Sequence, residues 1–286
     1  MPPSSLQRLL RIMTDRYAII GNPVVQAKSP ALQMAFARQR GQDMEYGAIL
    51  AELDGFVAAV RAFQQAGGKG MNITMPFKLQ AFEMADELTP RGRAAGAINT
   101  FTLRPDGTIL GDNTDGFGIV RDITHNLRFS LTGKRVLLLG AGGAVRGTLL
   151  PLFDEKPAEV FIANRTASKA VDLAAEFALH AGQTRLVGGG FADIPGRFDA
   201  VINGSASSMT GDVPPLPAGV WDAGSLAYDM AYKKEPTAFV QAARAAGVGL
   251  TADGLGMVVE QGAECFCLWR GMRPDTAPVI AELRNA

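Results

Sequence analysis

The chain reads as an α/β protein built on parallel strands, in two units, with C-terminal helices that return to the first. Three features of its 286 residues carry this reading. Apolar runs of strand length alternate with helix-compatible segments along the chain, the pattern of βα units. In mid-chain the run 136–139 (Val-Leu-Leu-Leu) is followed at once by Gly140-Ala-Gly-Gly-Ala144, so one α/β unit precedes another. Beyond the second unit, residues 254–270 read as a long helix and 278–284 as a short one.

Taken in order, residues 17–20 are strand-like and 30–39 helical, with Pro30 suited to a first helical position. Residues 45–48 read as a strand. Phe56, Val57, Val60 and Phe63 recur at helical spacing before Gly67-Gly68. Residues 70–74 form a strand that ends at Pro76. Segments 97–103 and 108–111 flank Pro105-Asp-Gly107, a hairpin signature. A helix runs from Asp115 to about Leu127. Strands follow at 136–139, 159–163, 199–203 and 226–230, the last two separated by the Pro-rich loop 212–217. Residues 237–246 fit a helix closed by Gly247.

Composition excludes several classes. Lys and Arg total 28 and Asp and Glu total 28, so nothing steers the chain to nucleic acid or an anionic membrane. No apolar stretch has the length of a bilayer span. The first dozen residues hold Arg8 and Arg11 without the apolar core of a signal peptide, and are read as a frayed extension before the first strand or as an over-long start. Cys265 and Cys267, two apart on a helix, point in different directions and read as free thiols of a reducing compartment. The expectation is a cytoplasmic monomer or homodimer.

The glycine turn suits a pyrophosphate. A buried strand ends, small residues let the backbone approach, and the next helix aims free N–H groups at the anion. Gly140 and Gly142 fit G-x-G-x-x-G, whereas its sixth position is Val145 and Gly147 comes later; a tight structural turn is the alternative. The following strand ends in Asn164-Arg165-Thr166-Ala-Ser-Lys169. An NAD site usually carries an acid there for the ribose 2′-hydroxyl. A guanidinium holds a 2′-phosphate bidentately and a carboxylate repels it, so the cofactor is read as NADP. The bland alternative is two solvated charges, although cations are slightly disfavoured at a helix N-terminus unless an anion joins them.

Polar clusters recur where strands end, the usual place for ligands in open α/β sheets. They are Gly21 to Pro30, Asn72-Ile-Thr74 through Lys78, Gly96-Ala-Ile-Asn99-Thr100, Gly111 to Gly118, and Ala252 to Met257 with Gln261 a turn later. Each has a structural alternative. Ser29 can cap a helix, Lys78 can be a solvated charge, and Asp115 can be an N-terminal helix charge.

Together these segments resemble the shikimate dehydrogenase family, in the family's order and from Tyr17 to Ile280. The resemblance rests on Gly21-Asn-Pro, Ser29-Pro30, Asn72-Ile-Thr74-x-Pro-x-Lys78, Gly96-Ala-Ile-Asn99-Thr100, Asn113-Thr114-Asp115-Gly116, Gly140-Ala-Gly-Gly-Ala144, Asn164-Arg165-Thr166, Tyr228-Asp229-Met230 and Asp253-Gly-Leu-Gly-Met257. It implies a substrate-binding unit of residues 1–115 and 254–286, and a Rossmann-like NADP-binding unit of residues 116–253. It implies reversible NADP-dependent oxidation of shikimate to 3-dehydroshikimate, in aromatic amino acid and chorismate biosynthesis. Lys78 and Asp115 match the family's catalytic pair. Ser29, Asn72, Thr74, Asn99, Thr114, Tyr228 and Gln261 match positions that hold the substrate's hydroxyls and carboxylate. Gly140, Ala141, Gly142, Gly143 and Ala144 match the pyrophosphate turn, and Asn164, Arg165, Thr166 and Lys169 the 2′-phosphate clamp. Ser205, Gly254 and Met257 match further cofactor positions. No metal is implied.

Two departures stand out. The family's His-Ser-x-Ser-Pro segment reads Gln26-Ala27-Lys28-Ser29-Pro30, so one serine that binds the substrate carboxylate is Ala27. Losing one hydrogen bond to a charged acceptor costs roughly 1.5–3 kcal/mol, about tenfold or more in the Michaelis constant, unless Gln26 or Lys28 compensates. Ser208 stands where a glycine is usual. The alternatives are a paralogue acting on quinate or another shikimate-like acid, with NAD disfavoured by Arg165, and a non-catalytic NADP-binding sensor, disfavoured by retention of both Lys78 and Asp115.

Overall fold

Two six-stranded sheets organise the chain. The computed structural model describes residues 14–205, 207 and 211–285; the readings made at residues 1–12 and at Ser208 lie outside these. In the first sheet, β1 (Asp15–Gly21) is buried from Tyr17 to Ile20. It pairs in parallel with β2 (Met44–Leu50) and β3 (Gly68–Ile73) on either side. The crossovers are α1 (Ser29–Arg40), closed by Gly41 at φ 59°, and α2 (Phe56–Gln65). Next come α3 (Lys78–Met84), β4 (Glu87–Leu88) and α4 (Pro90–Ala95), the last capped by the Thr89 hydroxyl.

The hairpin expected at Pro105-Asp-Gly107 joins β5 (Thr100–Leu103) to β6 (Ile109–Asp112). Gly107 takes φ 88°, and Asp106 Oδ1 accepts from the Thr108 amide at 2.9 Å. A tight turn joins only antiparallel neighbours. The sheet, ordered β2-β1-β3-β5-β6-β4, is therefore mixed, with β3–β5 and β5–β6 antiparallel and the other pairs parallel. It is parallel-rich, as expected, with the hairpin supplying the antiparallel pairs.

The helix α5 (Asp115–Arg121) continues into a π-helical turn, Asp122–Asn126, and leads to the second sheet. That sheet holds β7 (Arg135–Leu139), β8 (Glu159–Ala163), β9 (Arg185–Gly189), β10 (Ala200–Asn203), β11 (Leu226–Asp229) and β12 (Leu250–Ala252) in the order β12-β11-β10-β7-β8-β9. Every pairing is parallel. Strands buried on both faces need the continuous apolar runs found at 136–139 and 160–163. The helices α6 (Gly143–Asp154), α7 (Ala167–Phe177) and α8 (Ala238–Ala245) cover the faces. The order reverses between β7 and β10, which opens the crevice where such sheets bind ligands.

The C-terminal helix α9 (Leu255–Arg270) buries Val259, Ala263 and Phe266 against Tyr17, Leu32 and Phe36 of the first unit. Trp269 stacks on Tyr17 at 4.8 Å between ring centroids. The short α10 (Ala277–Asn285) adds Val279 to the same core. Between the sheets lies α5. A Cβ on Gly116 would fall 1.9 Å from the Gly147 carbonyl oxygen of α6, and one on Gly118 would fall 2.7 Å from the Met257 carbonyl oxygen of α9. Only glycine permits both approaches. Among the described residues no helix is long and apolar enough to cross a membrane.

Gly116→Ala pushes α5 away from α6, and overpacking of this kind costs about 1–3 kcal/mol. A lower urea midpoint with an unchanged slope is the expected result.

Candidate active site

A cavity of about 190 Å³ opens where β1 and β3 end, walled on the far side by α9 and by the loop after β11. Its chemistry begins with two helix starts. Lys78 opens α3 and Asp115 opens α5, where a carboxylate is favoured by the helix dipole. The Lys78 ammonium donates to Asp115 Oδ2 at 2.6 Å, both side chains partly exposed to the cavity. The other carboxylate oxygen, Oδ1, accepts from Asn99 Nδ2 at 2.8 Å. Asn99 Oδ1 in turn accepts from the Thr114 amide and the Thr100 hydroxyl at 2.9 and 2.8 Å. The pair is thus oriented from below and open to the cavity above.

Asn72 lines the floor beside it. Tyr46 donates its hydroxyl proton to Asn72 Oδ1 at 2.6 Å, which aims the Asn72 amide group. Burial pushes the Tyr46 hydroxyl far above its usual range and keeps it a donor. Ser29, Thr74, Lys28 and Ala27 form one wall, and Gln261 and Met257 of α9 another. Ala27 presents only a methyl group there, so the wall offers no hydroxyl at that position.

The cavity gathers Ser29, Asn72, Thr74, Lys78, Asn99, Asp115, Met257 and Gln261 from the sequence-derived set. Two members stand elsewhere. Thr114 is fully buried behind the floor, its hydroxyl within 3.3 Å of both Asn99 Oδ1 and Gln261 Oε1, so it supports the lining without being part of it. Tyr228 is also fully buried, and its hydroxyl donates to Asp122 Oδ2 at 2.7 Å, away from the cavity. The tyrosine in the wall is Tyr232, four residues on. Tyr228 belongs to β11 itself, whereas Tyr232 lies past its carboxyl end, where ligands bind in such sheets. That position was the available signal.

The cofactor-side residues form a second, contrasting surface. Gly140 takes φ 105° and backs onto the Gly204 carbonyl. Gly142 caps α6 without any side-chain hydrogen bond, and added Cβ atoms on Gly142 and Gly143 would meet open space. Gly142, Gly143 and Ala144 are exposed and Ala141 partly so. Free N–H groups in a concave, uncrowded turn fit a pyrophosphate. Across the crevice Ser205 donates to Asn203 Oδ1 at 2.7 Å. At the end of β8 Asn164 braces the Thr166 carbonyl at 2.9 Å. Arg165 and Lys169 are exposed at the start of α7, and neither forms an ion pair among the described residues. Such an arrangement fits a phosphomonoester. Gly254 is buried against the Met230 carbonyl and starts α9, which carries Met257 to the cavity. Cys265 and Cys267 are both free.

Three family models match in succession. They describe the shikimate dehydrogenase substrate-binding domain (residues 19–101), shikimate/quinate 5-dehydrogenase (122–207) and the shikimate 5′-dehydrogenase C-terminal domain (254–284). A shikimate dehydrogenase (NADP(+)) from Aromatoleum aromaticum is 56% identical over 272 residues, spanning 95% of this chain and 97% of the relative. One from Herminiimonas arsenicoxydans is 56% identical over 273 residues, spanning 95% and 98%. Among solved structures, an Ael1 enzyme from Pseudomonas putida superposes with TM-score 0.88 at 49% identity, covering 94% of this chain and 98% of that one. Shikimate 5-dehydrogenase from Thermus thermophilus, solved with NADP(H) and shikimate, gives 0.82 at 28% identity, covering 95% and 99%. A 5-ketofructose reductase of Gluconobacter gives 0.83 at 29%, covering 96% and 99%.

The Tyr228–Asp122 bond sets a pH-dependent expectation. Burial raises the Asp122 pKa above the usual carboxylate value and the Tyr228 hydroxyl lowers it in part. A raised folded-state value means stability present at acid pH and lost as pH rises through it. Tyr228→Phe removes the opposing hydrogen bond and raises the value further. Its deficit is expected to be small below about pH 4 and to reach about 1–3 kcal/mol at neutral pH, read by urea unfolding across that range.

Proposed function

Because the chain belongs to the shikimate dehydrogenase family, we propose that it oxidises shikimate reversibly to 3-dehydroshikimate with NADP, using Lys78 and Asp115 as its catalytic pair. The observation that carries this is the Lys78–Asp115 contact of 2.6 Å facing a cavity floored by carboxamides. When bound, NADP would supply the hydride acceptor in oxidation and NADPH the hydride donor in reduction.

The chain's own part is proton transfer and positioning. In the reducing direction, the Lys78 ammonium stabilises negative charge developing on the ketone oxygen and donates its proton there. In the oxidising direction the neutral amine takes the hydroxyl proton, and the Asp115 carboxylate stabilises the ammonium that results. Asn99 fixes Asp115 while this happens. Asn72, Thr74 and Gln261 are assigned to the ring hydroxyls and Ser29 to the acid group, with Lys28 beside it. Tyr232 replaces Tyr228 in this assignment. The turn from Gly140 to Ala144, with Ser205 opposite, would hold the pyrophosphate. Asn164, Arg165, Thr166 and Lys169 would hold the 2′-phosphate, and Gly254 and Met257 would lie beside the reactive ring. Residues 1–115 and 254–286 are assigned to the substrate and 116–253 to the cofactor. The cavity is lined by one chain, so a monomer or homodimer suffices, and the free thiols suit the cytoplasm.

A second reading, quinate or another ring acid, is favoured by Ala27 alone. Following NADPH absorbance with shikimate and quinate in parallel decides between them. Low Michaelis constants for shikimate and NADP(+) support the first; efficient turnover of quinate alone overturns it.

Lys78→Ala is expected to lower turnover by roughly 10²–10⁴-fold while NADPH affinity, measured by fluorescence titration, stays within a factor of about two. Arg165→Ala is expected to weaken NADPH roughly tenfold or more and leave NADH unchanged, because only the former carries the phosphate the guanidinium contacts.

A further inference from the structure

Beneath the cavity floor a thiol occupies the centre of a wholly polar cluster. Cys265 of α9 is fully buried. Its sulfur lies 3.1 Å from Asn72 Nδ2 of β3, 3.0 Å from Thr100 Oγ1 of β5 and 3.3 Å from Thr114 Oγ1. Gln261 Oε1, one turn earlier on α9, is 3.9 Å away. The direction of these bonds follows from counting protons. Thr100 gives its proton to Asn99 Oδ1 at 2.8 Å, so the thiol proton goes to Thr100 Oγ1. The sulfur then accepts from the Asn72 amide. Burial pushes the thiol up to about 11, so it keeps its proton and acts as donor and acceptor at once.

We propose that Cys265 is a positioning residue for the reaction: its thiol ties the substrate-facing amide of Asn72 to the Thr100–Asn99–Thr114 network that orients Asp115. The proposal rests on the function given above. No other side chain in the cluster touches both arms and also belongs to the returning helix. Asn72 keeps weaker alternatives, the Asn99 carbonyl at 3.3 Å and Thr100 Oγ1 at 3.2 Å. Loss of the sulfur therefore loosens the amide without unfolding the floor. Asn72 and Gln261 face the ring and not the cofactor turn, so the effect belongs to the substrate.

The test is steady-state kinetics on the full chain and on Cys265→Ala and Cys265→Ser, varying shikimate and NADP(+) separately, with the thermal midpoint of each protein. Cys265→Ala is expected to raise the shikimate KM about five- to tenfold, with kcat within about threefold, the NADP(+) KM unchanged and the midpoint modestly lowered by loss of a buried network member. Cys265→Ser, which restores a donor and an acceptor, is expected to bring the KM back to within about threefold of the wild type. An unchanged shikimate KM in Cys265→Ala overturns the proposal. So does a joint rise of both KM values with a lowered midpoint, or a serine variant as impaired as the alanine one. A wild-type enzyme that turns over neither shikimate nor quinate overturns the function and this proposal together; an active wild type with an indifferent Cys265→Ala overturns this one alone.

Discussion

The site depends on how closely α5 is held between its neighbours. Gly116 brings its backbone against α6 of the second unit, and Gly118 brings it against α9 of the first. No side chain fits at either point, so the crossing is fixed by backbone contact. Asp115 opens this helix and Asp122 follows its end. The first meets Lys78, and the second accepts from Tyr228 on β11. One short helix thus carries the carboxylate that meets Lys78 and also bolts the two sheets together. A carboxylate set on such an element is placed more precisely than one on a free loop.

The two halves of the site use opposite physical regimes. Behind the cavity, polar groups are buried and satisfied: Asn72, Asn99, Thr100, Thr114 and Cys265 find partners among themselves. In a low-dielectric setting such a network is rigid because any broken bond is costly. At the glycine turn and the end of β8 the groups are exposed and left open. A small hydroxylated ring needs fixed directions. A flexible dinucleotide with several phosphates needs charge and accessible N–H groups.

Much of this was legible in the chain before any coordinates. The turn at Gly140, the hairpin at Gly107 and the strand-end polar clusters each have a local cause in residue type and spacing. The short elements were not. Helix α3, strands β4, β9 and β12 and helix α4 are held by tertiary packing, and their own residues give weak signals; β9 ends in two glycines. The mixed first sheet follows from the hairpin, yet strand–helix alternation alone suggested parallel pairing. Tyr228 lies within a conspicuous motif, yet its hydroxyl is buried on Asp122, whereas Tyr232 beyond the end of β11 lines the cavity. The roles of Thr114 and Cys265 depend on contacts between segments roughly 150 residues apart, which no local pattern reveals.

The start of α7 bears one more consequence. Arg165 and Lys169 add two positive charges where the helix already presents the positive end of its dipole. That corner is self-repelling until a dianion arrives, so the β8–α7 junction is firmest with a phosphate in place. With the 2′-phosphate clamp as proposed, inorganic phosphate and sulfate are expected to compete with the dinucleotide there and to stabilise the chain in proportion to their occupancy. The choice of buffer becomes part of the enzyme's electrostatics.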